Sequence, residues 1–113
     1  MADHIRTRTA PGTWVVRAGG AVIAESSNAV ELNEGAYAPV IYFPRADIAM
    51  AFLEPSERTS RCPHKGDASY YSIAAKSGLI DDAAWSYEAP IDSVAAIAGH
   101  LAFYTDKVTV EQL

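Results

Sequence analysis

The sequence of 113 residues has a single cysteine, two tryptophans and three histidines. A lone Cys62 has no partner for an internal disulfide, which fits a reducing compartment. It also leaves no Cys-x-x-Cys pair for a zinc knuckle, and the scattered His4, His64 and His100 do not replace one. No metal or other cofactor is therefore expected. Positive charge is scarce as well: nine Lys and Arg against fourteen Asp and Glu give a net charge of −5. That balance argues against a general nucleic-acid binder, which would carry a basic face. No apolar run approaches the roughly 18–20 residues of a membrane-spanning helix. The first twelve residues carry charges and no apolar stretch, so no signal peptide is expected. The expectation is a cytoplasmic protein without nucleic-acid or membrane partners.

What is present is ordinary globular composition, half apolar and a fifth charged, and enough chain for one domain. Residues 1–12 are polar and end in Pro11-Gly12, predicting a loosely docked arm ahead of a domain over 13–113. Trp14–Ala18 and Ala21–Glu25 are β-rich runs joined by Gly19-Gly20, whose positive φ angles suit a type I′ hairpin. Ala29–Asn33 alternates as a third strand. Val40–Phe43, bracketed by Pro39 and Pro44, is apolar on both faces and reads as a central fourth strand. Arg45–Met50 is expected to make one helical turn, and Glu54–Arg58 a polar loop. Further strands are predicted over Thr59–Arg61, Ala68–Ile73, Ala83–Glu88, His100–Tyr104 and Lys107–Val110. One short helix is expected near 91–98, opened by Pro90 and stopped by Gly99. The fold class is all-β and mainly antiparallel.

The chemically densest stretch is Cys62-Pro63-His64-Lys65-Gly66. Cations and oriented backbone N–H groups activate a thiol, so Cys62 beside Lys65 is a candidate nucleophile. A small buried apolar residue is the competing reading. Arg58, Arg61 and Lys65 form a local basic cluster with Arg45 upstream, which suits a small anionic ligand. Lys65 and Arg45 are candidates to grip it, with Gly66 letting backbone approach. Surface charge, or pairing with Asp67 or Asp47, is the alternative for both cations.

Three segments together carry a family pattern: Val40-Ile41-Tyr42-Phe43-Pro44-Arg45, then Thr59 with Cys62-Pro63-His64-Lys65-Gly66 and Ala68, Tyr70 and Ser72, then Ala84-Trp85-Ser86-Tyr87-Glu88. The tail Ile97–Tyr104 fits as well. The chain resembles the bacterial family filed as domain of unknown function 427, from about Trp14 to Val110. That resemblance implies a compact β-tent fold, akin to zinc-holding tents but without their cysteine pairs. It also brings the label nucleotidyltransferase-like. His64 departs from the aromatic residue, such as Tyr, usual at its position, while the turn residues Pro63 and Gly66 are kept.

Tyr42, Tyr70 and Trp85 are candidates to line a ligand pocket, with core packing as the alternative. His100 is a candidate general base or a hydrogen-bonded structural group. Glu88 is a candidate acid/base, an arginine partner, or a strand-end surface charge. The order Lys65-Gly66 is not that of a P-loop, and the adjacent Asp81-Asp82 would point to opposite faces of a strand rather than share a metal. Two functions remain: a domain binding a small anionic or polar ligand, and an enzyme using Cys62, with nucleotide binding weaker than either. Cys62, Lys65, Arg45, Tyr42, Tyr70 and Trp85 are expected to converge on one concavity.

Overall fold

The computed structural model describes residues 4–113. Ten strands follow in order: β1 (Ile5–Thr9), β2 (Trp14–Ala18), β3 (Ala21–Ser26), β4 (Val30–Glu34), β5 (Val40–Tyr42), β6 (Leu53–Cys62), β7 (Gly66–Ala75), β8 (Gly78–Ser86), β9 (Leu101–Phe103) and β10 (Thr109–Gln112). Every pairing is antiparallel, in three sheets ordered β1-β4-β5, β10-β2-β3 and β6-β7-β8-β9. The all-β antiparallel expectation holds. The Gly19-Gly20 hairpin forms as predicted, with φ angles of +57° and +84°.

The short helix is present over Asp92–Ile97, but it is 3₁₀ rather than α and is interrupted at Val94. Its buried side chains are Val94 and Ile97, three apart, the spacing that eclipses in a 3₁₀ turn. The predicted turn after Pro44 is divided into two 3₁₀ turns, Arg45–Asp47 and Met50–Phe52.

Two expectations need correction. Glu54–Arg58 is not a loop but lies within the ten-residue β6, interrupted by an irregularity between Pro55 and Thr59. An edge strand leaves most of its side chains in solvent, so its sequence need not alternate, and Pro is tolerated there. The polar arm is likewise structured: Ile5–Thr9 pairs along β4, from Ile5 opposite Glu34 to Thr9 opposite Val30. Its first three residues lie outside the described residues.

β5 divides the interior into two cores. Ile41 and Phe43 point into one with Val16, Ile23, Ile73 and Leu101. Tyr42 points the other way, among Leu32, Ala68, Tyr70, Tyr87 and Ile97. The period of two puts successive side chains on opposite faces, which is why both faces of this short strand are apolar. Beyond β5, Phe43 and Leu101 exchange backbone hydrogen bonds of 2.7 and 2.9 Å, tying the first sheet to the third. Removing the fully buried Phe43 ring would cost about 3–5 kcal/mol by the usual scale for core aromatics. No helix is long and apolar enough to cross a membrane among the described residues.

Candidate functional site

The second core opens into a cavity of about 260 Å³ lined by Leu32, Glu34, Val40, Tyr42, Lys65, Tyr70, Trp85, Tyr87 and Tyr104. β4 supplies Leu32 and Glu34, β5 supplies Val40 and Tyr42, β7 supplies Tyr70 and β8 supplies Trp85. Lys65 comes from the turn joining β6 to β7. That turn is closed by Lys65 N–H donating to the Cys62 carbonyl at 3.1 Å. It is pinned from outside by Ile91 N–H, which donates to the Lys65 carbonyl at 3.0 Å.

Several polar atoms of this cavity already have partners. Trp85 Nε1 donates to the Tyr42 hydroxyl at 3.2 Å, and the hydroxyls of Tyr70 and Ser60 are 2.8 Å apart. Lys65 Nζ donates to Glu34 Oε1 at 2.8 Å. Burial opposes the Lys65 charge, but hydrogen bonds to Glu34 and Cys62 outweigh it and raise the ammonium's pKa. The same bond from Lys65 holds the Glu34 carboxyl below its ordinary value. Lys65 is thus a fixed ammonium at neutral pH, not a neutral amine nucleophile. Burial pushes the Tyr42 phenol up to about 12, and Tyr104 likewise to about 12. Burial raises Tyr87 also. These are neutral hydroxyls across the physiological range, able to donate and accept.

Of the residues singled out from sequence, Tyr42, Lys65, Tyr70 and Trp85 meet here. Cys62 is not among the lining residues; it is half-buried, packs against the second core and has its side chain within hydrogen-bonding reach of Lys65. Gly66 serves the turn itself. Its φ is +119°, and a Cβ there would sit 3.4 Å from Pro90 Cα. His100 is off the cavity, its ring Nδ1 donating to the Ala98 carbonyl at 3.0 Å.

Arg45 and Glu88 lie apart from the cavity, in a cluster of their own. Arg45 Nε donates to the Gly99 carbonyl at 2.8 Å and Nη2 to the Tyr71 hydroxyl at 3.1 Å, while Nη2 also ion-pairs with Glu88. The expected anion grip from Lys65 and Arg45 together is therefore not assembled. The wider basic cluster is also balanced, since Arg61 pairs with Asp67 at 2.9 Å and Arg58 approaches Asp82 at 4.0 Å. Sequence order showed the cations but not the carboxylates that come to them from other strands.

Reasoning from sequence missed Glu34 and Tyr104 as lining residues. Glu34 looked only like the break after a strand; nothing local marks it as the partner of a lysine 31 positions away. Among the described residues no group of three or more His, Cys, Asp or Glu side chains is arranged to hold a metal ion.

A family model described as domain of unknown function (DUF427) matches residues 6–112. No curated protein matches the chain.

Proposed function

Because the chain belongs to the family described as domain of unknown function (DUF427), a description that assigns no reaction, we propose from geometry that it is a binding domain for a small polar ligand. The observation carrying this reading is the convergence of Tyr42, Lys65, Tyr70, Trp85, Tyr87 and Tyr104 from separate strands and turns on one cavity. A few placed polar groups among aromatic walls are the usual makeup of a small-molecule site. The volume, about 260 Å³, suits a ligand at the small end of the range. Lys65 offers charge-assisted donation and Glu34 acceptance, so a ligand carrying both a donor and an acceptor is matched. Trp85 and Tyr87 offer apolar ring contact, the Tyr87 centroid lying 6.0 Å from Lys65 Nζ. A simple anion is a poorer fit, because Glu34 already balances Lys65.

The nucleotidyltransferase label receives no support from the carboxylates. Asp82 adopts a left-handed φ of +47° and its N–H is held by Ser72 Oγ, so Asp81 and Asp82 mark a strand irregularity. A thiol enzyme is the second reading: Cys62 is not among the lining residues, yet its side chain lies within hydrogen-bonding reach of the Lys65 ammonium.

The test is a saturation-transfer NMR screen of small polar ring compounds against native protein and Tyr70→Phe and Lys65→Met variants. Hits that weaken in both variants support the reading. Hits indifferent to both, or no hit from a broad library, overturn it.

A further inference from the structure

A second and larger cavity, about 410 Å³, adjoins the first and shares Val40, Trp85 and Tyr104 with it. It lies where all three sheets meet. β2 and β10 contribute Trp14 and Val110, β4 and β5 contribute Glu31, Val40 and Ile41, and β8 and β9 contribute Trp85 and Phe103. Its walls are aromatic and aliphatic. Among its lining residues only Glu31 is charged at neutral pH, since burial keeps the Tyr104 phenol protonated.

Glu31 is an unusual floor for such a groove. Its side chain is only 10% exposed. Both protein donors go to the same oxygen: Arg8 Nε at 2.9 Å and Asn33 Nδ2 at 2.8 Å meet Oε2. Those bonds, Arg8's first, hold the carboxyl below its ordinary value, so it remains charged. Among the described residues Oε1 has no hydrogen-bond partner, yet it is not sealed from solvent. One half of a nearly buried carboxylate is thus left unanswered in a cavity that it lines.

We infer that this groove is a binding site for an organic cation, an ammonium on an apolar or aromatic body, with Glu31 Oε1 as its anchor. A neutral apolar occupant would cover Oε1 without a donor and incur the cost of desolvating a charge. An anion would meet the only charge in the lining with the same sign. An ammonium satisfies Oε1 and is attracted by aromatic faces that line the same groove. Both indoles present ring rather than N–H, because Trp14 Nε1 donates to the Pro11 carbonyl at 2.9 Å and Trp85 Nε1 to Tyr42. Arg8 does not line the groove and its side chain is 65% exposed, so it shares the carboxylate from outside.

The inference goes beyond the polar cavity and does not need that cavity to be occupied. The probe is phenethylammonium, compared with 2-phenylethanol and phenylacetate of similar shape. The readout is intrinsic fluorescence, because the protein's two tryptophans, Trp14 and Trp85, both line this groove, Trp14 lining it and not the polar cavity. The expected result is saturable binding of phenethylammonium in the millimolar range or tighter, at least tenfold weaker binding of the alcohol, and none of the carboxylate. Glu31→Gln should weaken the ammonium at least tenfold, roughly the worth of one charge-assisted bond. Arg8→Gln should tighten it a few-fold by removing the competing cation, a response that a purely structural Arg8–Glu31 pair does not give. Arg61→Gln, which removes an exposed cation that lines neither cavity, should leave it within twofold, whereas the loss in Glu31→Gln assigns binding to this groove because Glu31 does not line the polar cavity. Equal binding of ammonium and alcohol to native protein, or no ammonium binding at 20 mM, overturns the inference even if Glu31→Gln fails to fold. A folded Glu31→Gln protein with native affinity overturns it too.

Discussion

Lys65 Nζ lies 2.8 Å from Glu34 Oε1, joining the β6–β7 turn to the end of β4 with both side chains largely out of water. At 12% and 20% exposure the pair is neither a surface salt bridge nor fully buried. Exposed pairs contribute about 0–1 kcal/mol, but leaving one partner of a desolvated pair alone costs more. Lys65→Met should therefore destabilise the protein by about 1–3 kcal/mol. The double variant Lys65→Met with Glu34→Gln should recover a substantial part, because no charge is then stranded. Urea denaturation of the four proteins in the cycle measures both figures. Equal stability of the native protein and Lys65→Met would contradict this account.

The same pair sets a pH window. Glu34 is held below its ordinary 4.5, so its stabilising share is complete above that value and is lost as pH falls through the folded-state value. Glu31, also depressed, acts in the same direction. Lys65 is held above its ordinary 10.5, so its share is complete below that value and is lost as pH rises through the folded-state one. Thermal scans should show a plateau between these limits. The gap between native protein and Lys65→Met should begin to narrow below about pH 4.5 and close as pH falls through the depressed folded-state value, where Glu34 takes a proton in the native protein too. His4, 3.6 Å from Glu34, remains in the variant and moderates the change.

Gly66→Ala tests the turn that places Lys65. The added Cβ would meet only ordinary contacts, 3.4 Å from Pro90 Cα and 3.5 Å from the Ala89 carbonyl, so crowding is secondary. The cost comes from φ = +119°, which L-residues rarely adopt. About 1–3 kcal/mol of stability should be lost, read from the denaturation midpoint. Ligand hits in the polar cavity should weaken with it, since Lys65 is the adjacent residue.

Ser86→Ala should be neutral or stabilise, by up to about 1 kcal/mol. Its hydroxyl is fully buried and has no hydrogen-bond partner among the described residues. Removing an unanswered buried polar atom removes a desolvation cost at the price of a small void. A loss of more than 1 kcal/mol in calorimetry would mean that the hydroxyl is satisfied.

Features governed by local chemistry were legible in the sequence. Gly19-Gly20 specifies its hairpin through positive φ, and Pro39 and Pro44 bracket β5 because neither donates to a ladder. Tyr42, Tyr70 and Trp85 could be grouped because three separate motif segments each carry groups suited to a polar-aromatic pocket, and all three line the cavity. Illegible were features decided by distant partners. β1 shows Arg6, Thr7, Arg8 and Thr9 and buries only Ile5, so nothing in its pattern distinguishes it from a loose arm. Glu31 sits in an ordinary alternating strand, and its open oxygen emerges only where three sheets meet.

Arg45 shows the same limit and allows a prediction that separates charge from geometry. Its guanidinium reaches three segments at once: the Gly99 carbonyl, the Tyr71 hydroxyl and Glu88. The Arg45 ring contact, 5.4 Å from guanidinium carbon to the Tyr71 centroid, adds a further tie. Glu88 is about half exposed, so its ion pair should contribute no more than about 1 kcal/mol. The Gly99 carbonyl and Tyr71 depend on the planar fork, which lysine cannot reproduce. Glu88→Gln should therefore cost less than about 1 kcal/mol, whereas Arg45→Lys should cost about 1–3 kcal/mol despite keeping the charge. Neither should alter ligand hits in the polar cavity, from which both residues are absent. If Arg45→Lys matched the native denaturation midpoint while Glu88→Gln lowered it, the cluster would be held by charge and not by the fork.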